Sequence, residues 1–172
     1  WLVVHATHNH EGPDTMGLWG SALLQPGFDP DYRAQVRMTI VDAVTQAVAG
    51  LEDVGTITVG RGDASTAHQG DPDKGIRNVS NDSRDPFVVD EAVDVLHLAD
   101  TDGDTIVTLI NYASHPESLA DENTLLTADY VHALRKTVED GSTWTQAENQ
   151  PGLGGTAVFI SGALGGMMTP LG

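Results

Sequence analysis

Asp94-Val95-Leu96-His97-Leu98 and Thr105-Ile106-Val107-Thr108-Leu109-Ile110, separated by Asp100-Thr101-Asp102-Gly103-Asp104, read as the two strands and turn of a β-hairpin. Asp-Gly between two strand-like runs supplies the residue types that a tight turn needs. A calcium loop beginning at Asp100 would want Gly at its sixth position and Glu at its twelfth. Thr105 and Asn111 stand there, so a turn is the better reading. The second strand runs straight into Asn111-Tyr112-Ala113-Ser114-His115-Pro116-Glu117. A histidine therefore follows a core strand, and the proline after it keeps its backbone extended.

A second histidine loop lies near the N-terminus, in Leu2-Val3-Val4-His5-Ala6-Thr7-His8-Asn9-His10-Glu11-Gly12-Pro13-Asp14. The short apolar run reads as a buried strand that ends in a loop, and loops at strand ends are where sites sit. His8 and His10 are two apart, so on an extended backbone both imidazoles leave the same side. Taken alone, His-x-His is more often a pair of solvated or core-satisfied histidines. Two strands ending in histidine, however, could bring His8 and His115 to one edge of a sheet, within the ~2.0–2.1 Å that zinc requires of nitrogen ligands. A catalytic zinc takes three protein ligands and an open position for water. His10 and Glu117 are the candidates within the chain to extend the set.

The remaining segments supply the scaffold. Residues 11 to 28, with Gly12, Pro13, Gly17, Gly20, Pro26 and Gly27, read as a long loop. Leu18 and Trp19 in it could wall a pocket or plug the space beneath the loop. Asp29-Pro30 marks a helix start, and Val41, Val44, Val48 and Leu51 recur behind it at helical spacing, predicting about twenty residues with one buried face. Thr56-Ile57-Thr58-Val59 follows as a strand, and the order strand, helix, strand favours a mixed or parallel sheet. Residues 60 to 87 read as irregular. Arg77 and Arg84 within them are scarce cations that could orient a carbonyl, although a surface ion pair is the commoner use. A second helix opens at Thr127-Ala128-Asp129-Tyr130 and closes near Gly141, with His132 exposed on it. After a polar linker, 142 to 155, Thr156-Ala157-Val158-Phe159-Ile160 is a buried strand. It leads into Ser161-Gly162-Ala163-Leu164-Gly165-Gly166, whose backbone could approach a ligand or simply pack tightly. The fold class expected is α/β: a mixed β-sheet with packed helices.

Composition narrows the function. Eight basic residues against twenty-five acidic ones give a net charge of −17. Binding to nucleic acid through phosphate neutralisation is therefore excluded as a main role. The acid is spread along the chain, as on a solvated surface. There is no cysteine, hence no disulfide and no thiolate metal site. No stretch reaches the roughly 20 apolar residues of a transmembrane segment. Trp1 opens inside a strand-like run and Gly172 follows an apolar, glycine-rich one, so residues 1–172 are expected to be part of a larger catalytic domain.

Taken in order, these segments resemble the catalytic domain of the neutral, non-lysosomal ceramidases. Thr7-His8-Asn9-His10-Glu11-Gly12-Pro13 resembles that family's Thr-His-Thr-His-Ser-Gly-Pro loop. Asn111 to Ser118 resembles its Asn-Trp-Phe-Ala-x-His-Pro/Gly-x-Ser, Thr127 to Tyr130 its Ser-Asp-Asn segment, and Arg84 to Leu96 the segment ahead of the hairpin. The resemblance implies zinc held by His8 and His115, with His10 beside the substrate and further ligands, a glutamate and a tyrosine, beyond Gly172. It also aligns Arg77 with an arginine in an Asn-Arg-Ser-Pro segment. Where the family carries Gly-Asp-Val-Ser-Pro with a serine nucleophile, this chain has Gly165-Gly166-Met167-Met168-Thr169-Pro170. Either Thr169 stands in for the serine, or zinc-activated water attacks directly.

The reading that follows is a zinc-dependent amidohydrolase acting on a small-molecule or lipid amide, with His8 and His115 as metal ligands and His10, Arg77 and Thr169 as catalytic candidates. An amidohydrolase-type barrel, in which both imidazoles of His-x-His bind metal, is the alternative enzyme, and a non-catalytic binding domain on the same scaffold is the alternative outside enzymes. A secreted or periplasmic location would suit the acidic surface; oligomeric state is left open.

Overall fold

A computed structural model describes residues 2–66, 80–82, 85–86, 88–142, 149–164 and 167–170, with the backbone alone at 80, 81, 121 and 167–170. They form two compact units, Gly12–Asp53 and Trp1–Glu11 with Val54–Gly172.

The larger unit is built on the hairpin. Strands β3 (Ala92–Ala99) and β4 (Thr105–Tyr112) pair antiparallel, with Asp94 opposite Asn111 and Leu98 opposite Val107. The Asp100 carboxylate accepts from the backbone amides of Asp102 and Asp104, both at 2.9 Å, and Gly103 takes a φ of 92°. These residues make a side-chain-fastened turn, as their chemistry foretells. Strand β1 (Thr56–Asp63) pairs antiparallel with β3, and β7 (Thr156–Ser161) pairs parallel with β4, giving a mixed four-stranded sheet in the order β1-β3-β4-β7. Between β4 and β7 the chain crosses through helix α2 (Asp129–Asp140), as a parallel pair requires. The α/β class is thus borne out.

Helix α2 lies on β7 and covers the core. Ile110, Ala157, Phe159 and Val131 are buried, and the Tyr130 ring meets Phe159 edge-on at 5.8 Å. The same helix blunts an open edge. β7 ends the sheet, and its Ala157 peptide is taken at both poles: Arg135 Nε donates to the carbonyl at 2.6 Å, and Glu139 Oε1 accepts from the amide at 2.9 Å. Four residues on, the Ser161 amide donates to His5 Nε2 at 2.9 Å and the Ser161 hydroxyl to the Thr7 carbonyl at 2.9 Å.

Those two contacts correct the expected first strand. Leu2-Val3-Val4 forms no strand and is exposed, Val3 at 82%. β-branched residues favour a strand only where a ladder receives them, and what fastens this segment to β7 is side-chain bonding at Ser161. The expected order of strand, helix, strand is therefore replaced by helix first. Residues 60–66 also depart from the irregular reading: β1 continues to Asp63 and a 3-10 turn, Ala64–Thr66, follows. A short antiparallel pair joins β2 (Ser80–Asp82) to β8 (Met167–Pro170), and another joins β5 (Gly141–Ser142) to β6 (Gln150–Pro151).

The smaller unit holds α1 (Pro30–Ala49), capped by Asp29, whose carboxylate accepts from Asp31 and Tyr32 amides, and closed at Gly50. Its bounds match expectation; its buried face does not, since no α1 residue is buried and Val41 and Val48 are each 63% exposed. Spacing dictates which side chains share a face, not whether anything covers it. In residues 12–28, Asp14 gathers the amides of Met16, Gly17 and Trp19, which orders the loop and holds its carboxyl below the usual range. Leu18 and Trp19 are exposed, so they plug no core; Leu18 does line an open pocket, together with Gly17, Leu23 and Pro26.

Candidate metal centre

Parallel strands β4 and β7 end on the same edge of the sheet, and the residues that leave that edge build the site. Crevices outside the carboxyl ends of parallel strands are the common place for ligands in α/β folds. Past β4, Ala113, Ser114, His115 and Pro116 are all buried, so the His115 ring is set in a packed wall. The Tyr130 hydroxyl donates to the Ser114 carbonyl at 2.9 Å, fixing that wall to α2; burial pushes the tyrosine well up. Past β7, Gly162 bonds its amide to the Tyr112 carbonyl at 2.9 Å, and a Cβ there would meet Ala113 at 3.2 Å. Close packing, not ligand approach, explains this glycine; Gly165 and Gly166 lie outside the described residues.

His8 and His10 arrive on the segment fastened to Ser161. His8 has a φ of 63°, so its backbone is not extended as the spacing argument assumed. Its ring and that of His10 are nonetheless 4.8 Å apart between centroids, and His115 stands 4.8 Å from His8 and 5.2 Å from His10. The potential ligand nitrogens of the three all lie within 4.8 Å of one another. The imidazoles therefore converge, one buried and two exposed.

The loop is held from behind. Asn9 Nδ2 donates to the Thr127 carbonyl at 2.5 Å, the Thr127 amide to the Glu11 carbonyl at 3.4 Å, and Glu11 Oε2 accepts from Asn123 Nδ2 and the Thr127 hydroxyl. The sequence assigns Glu11 no role of its own, and only its place beside two histidines could have flagged it. Thr127, where α2 is expected to open, accepts from the Asp129 amide at 3.1 Å, while the cap residue is Ala128. His10 is tied twice more: its amide donates to the Pro116 carbonyl at 3.2 Å, and its Nδ1 lies 2.5 Å from Glu117 Oε2. Glu117, a candidate ligand in sequence, thus pairs with a histidine.

Electrostatics favour neutral rings at His8. Burial first, then the neighbouring His115 and His10, lower its pKa from the ordinary 6.5, with Glu117 opposing. A metal needs the imidazole unprotonated, and imidazole nitrogen is a normal zinc donor. The donor set therefore fits zinc. Of the other candidates, Arg77 falls outside the described residues, and Thr169 has its backbone in β8, next to the Pro170 that pairs with Ser80.

No protein-family model matches the chain, and no curated protein matches it. Among solved structures it is similar to neutral ceramidase from Pseudomonas aeruginosa, with 18% identity over 84% of this chain and a TM-score of 0.62. It is also similar to a ceramidase complexed with C2, with 20% identity over 95% of this chain and a TM-score of 0.68. The chain spans 22% and 24% of those two proteins. The described residues share their α/β fold with a segment of these ceramidases.

Proposed function

We propose that this chain is part of the catalytic domain of a zinc-dependent hydrolase that cleaves an amide bond, with a lipid amide as the substrate class. The observation that carries the reading is the convergence of His8, His10 and His115 at the edge where β4 and β7 end. The fold shared with the ceramidases supports it.

His8 and His115 would hold the metal, the first kept neutral by its surroundings and the second anchored in the buried 113–116 wall. Zinc bound there would polarise the scissile carbonyl and bring the pKa of water to about 7. Hydrolysis adds the oxygen of the attacking group to the carbonyl carbon, breaks the C–N bond and delivers a proton to the departing amine. The attacking group is water, or the Thr169 hydroxyl, in which case a water then cleaves the acyl ester to release the acid and restore the hydroxyl. His10, with Nδ1 committed to Glu117, offers Nε2 as its free nitrogen, a lone pair that can take up a proton or a cation.

The test is turnover of a panel of N-acyl amides before and after chelation. The reading expects cleavage that chelator abolishes and Zn2+ restores. Bound zinc with no cleavage of any amide or ester would instead favour a binding domain, the reading that the absent serine motif supports. A Thr169→Ala variant with full turnover assigns the attack to water.

A further inference from the structure

We propose that the loop from Thr15 to Phe28 is a lipid-docking surface, which presents Trp19, Leu23 and Leu24 to a bilayer of zwitterionic headgroups; the choice of lipid rests on the lipid-amide reading above. From Thr15 to Phe28 there is no Asp, Glu, Lys, Arg or His, although the chain carries 25 acidic and 8 basic residues. Trp19 is 83% exposed, Leu23 92% and Leu24 94%, and Met16 and Leu18 on the same loop are exposed as well. A single apolar side chain in solvent is ordinary, but a group of them on one loop marks an interaction site.

The loop is built to hold these side chains out. Its two arms close on each other: a Cβ on Gly20 would overlap the Gln25 carbonyl, and one on Gly27 the Trp19 carbonyl. The tip is fastened by the Gln25 amide, which donates to the Ala22 carbonyl at 3.0 Å, and by the Ser21 hydroxyl, which donates to Gln25 Oε1 at 2.8 Å. At the base Asp14 gathers its three amides, and the Arg33 guanidinium lies 4.2 Å over the Phe28 ring. Leu24 takes a φ of 70°, a conformation that glycine enters at less cost. A leucine held there with its side chain in solvent contributes nothing to the core, so its use lies in what the folded loop meets. Charge selects the occupant. No side chain of the loop can form an ion pair, and a net charge of −17 repels an anionic surface. Tryptophan together with leucines is the composition that lodges between headgroups and acyl chains. Asp14 and Asp29 flank the loop, so insertion stops at the apolar tip. An enzyme for lipid amides must meet its substrate in such a surface, because every CH2 of an acyl chain opposes its release into water.

The test is cosedimentation of the full-length protein with phosphatidylcholine vesicles, in wild type, the double variant Leu23→Ser with Leu24→Ser, and Val41→Ser. The proposal expects wild type to bind, with its tryptophan emission quenched by brominated acyl chains, and the double variant to bind about tenfold or more weakly. Val41→Ser, an exposed apolar site on α1, should bind as wild type does. Phosphatidylserine vesicles should bind less than phosphatidylcholine at low salt. Urea unfolding of the double variant should match wild type; lost stability would mean that the loop is covered within the folded protein, and would overturn the proposal. So would absent vesicle binding, equal binding by the double variant, or, in place of vesicle binding, a wild-type dimer in sedimentation velocity that the double variant loses. Cleavage of a soluble short-chain amide without vesicle binding would overturn the docking surface alone. Vesicle binding through this loop with no amide cleaved would overturn the hydrolase reading alone.

Discussion

His8 is the residue on which two costs meet. Its φ of 63° lies in the left-handed region, where a Cβ crowds the following carbonyl at a cost of roughly 1–2 kcal/mol. The neighbours over-determine it: Thr7 is held by Ser161, Asn9 by Thr127, and His10 by Pro116 and Glu117. Strain kept in place this way clusters at functional sites. Metal-free His8→Gly should therefore be more stable than His8→Ala, by about 1 kcal/mol, in urea unfolding; a less stable glycine variant would remove the strain. The second cost is charge. Because the folded-state pKa of His8 is lowered, the folded state binds fewer protons than the unfolded chain below the ordinary 6.5. Its contribution is neutral above that pH and becomes destabilising as pH falls through the window beneath it. The metal-free protein should lose stability as pH falls below the ordinary 6.5, and His8→Asn should flatten that slope.

At the scale of elements, burial separates the two helices. Phe159 on β7, packed under α2, should cost about 3–5 kcal/mol when truncated to alanine. Val41→Ala on α1, where no residue is buried, should stay within roughly 0.5 kcal/mol. Chemical denaturation of both variants checks the pair together. The same contrast shows what sequence can carry. Asp100-Thr101-Asp102-Gly103-Asp104 specified its turn locally, and Asp29-Pro30 marked the start of α1, because caps and turns are decided within a few positions. Leu2-Val3-Val4 misled, because a strand exists only with a partner and β7 offers this segment Ser161 side-chain contacts. The face of α1 misled for the same reason. At the site, His8 and His115 were legible as histidines beyond apolar runs, whereas the bond between His10 and Glu117 joins distant positions and has no local signal.

For the whole molecule, charge and fold point the same way. A net −17 repels polyanions, and no helix among the described residues is long and apolar enough to cross a membrane. The four-stranded sheet carries the His115 loop at one edge, where contacts at Ser161 fasten the segment that bears His8 and His10, and the chain accounts for less than a quarter of the ceramidases whose fold it shares. The account stands on imidazoles from both loops holding one cation. Zinc content of the purified protein, compared with that of folded His8→Ala and His115→Ala variants, tests this most directly. About one zinc per chain, lost in both variants, is the result expected; full zinc in both would contradict it.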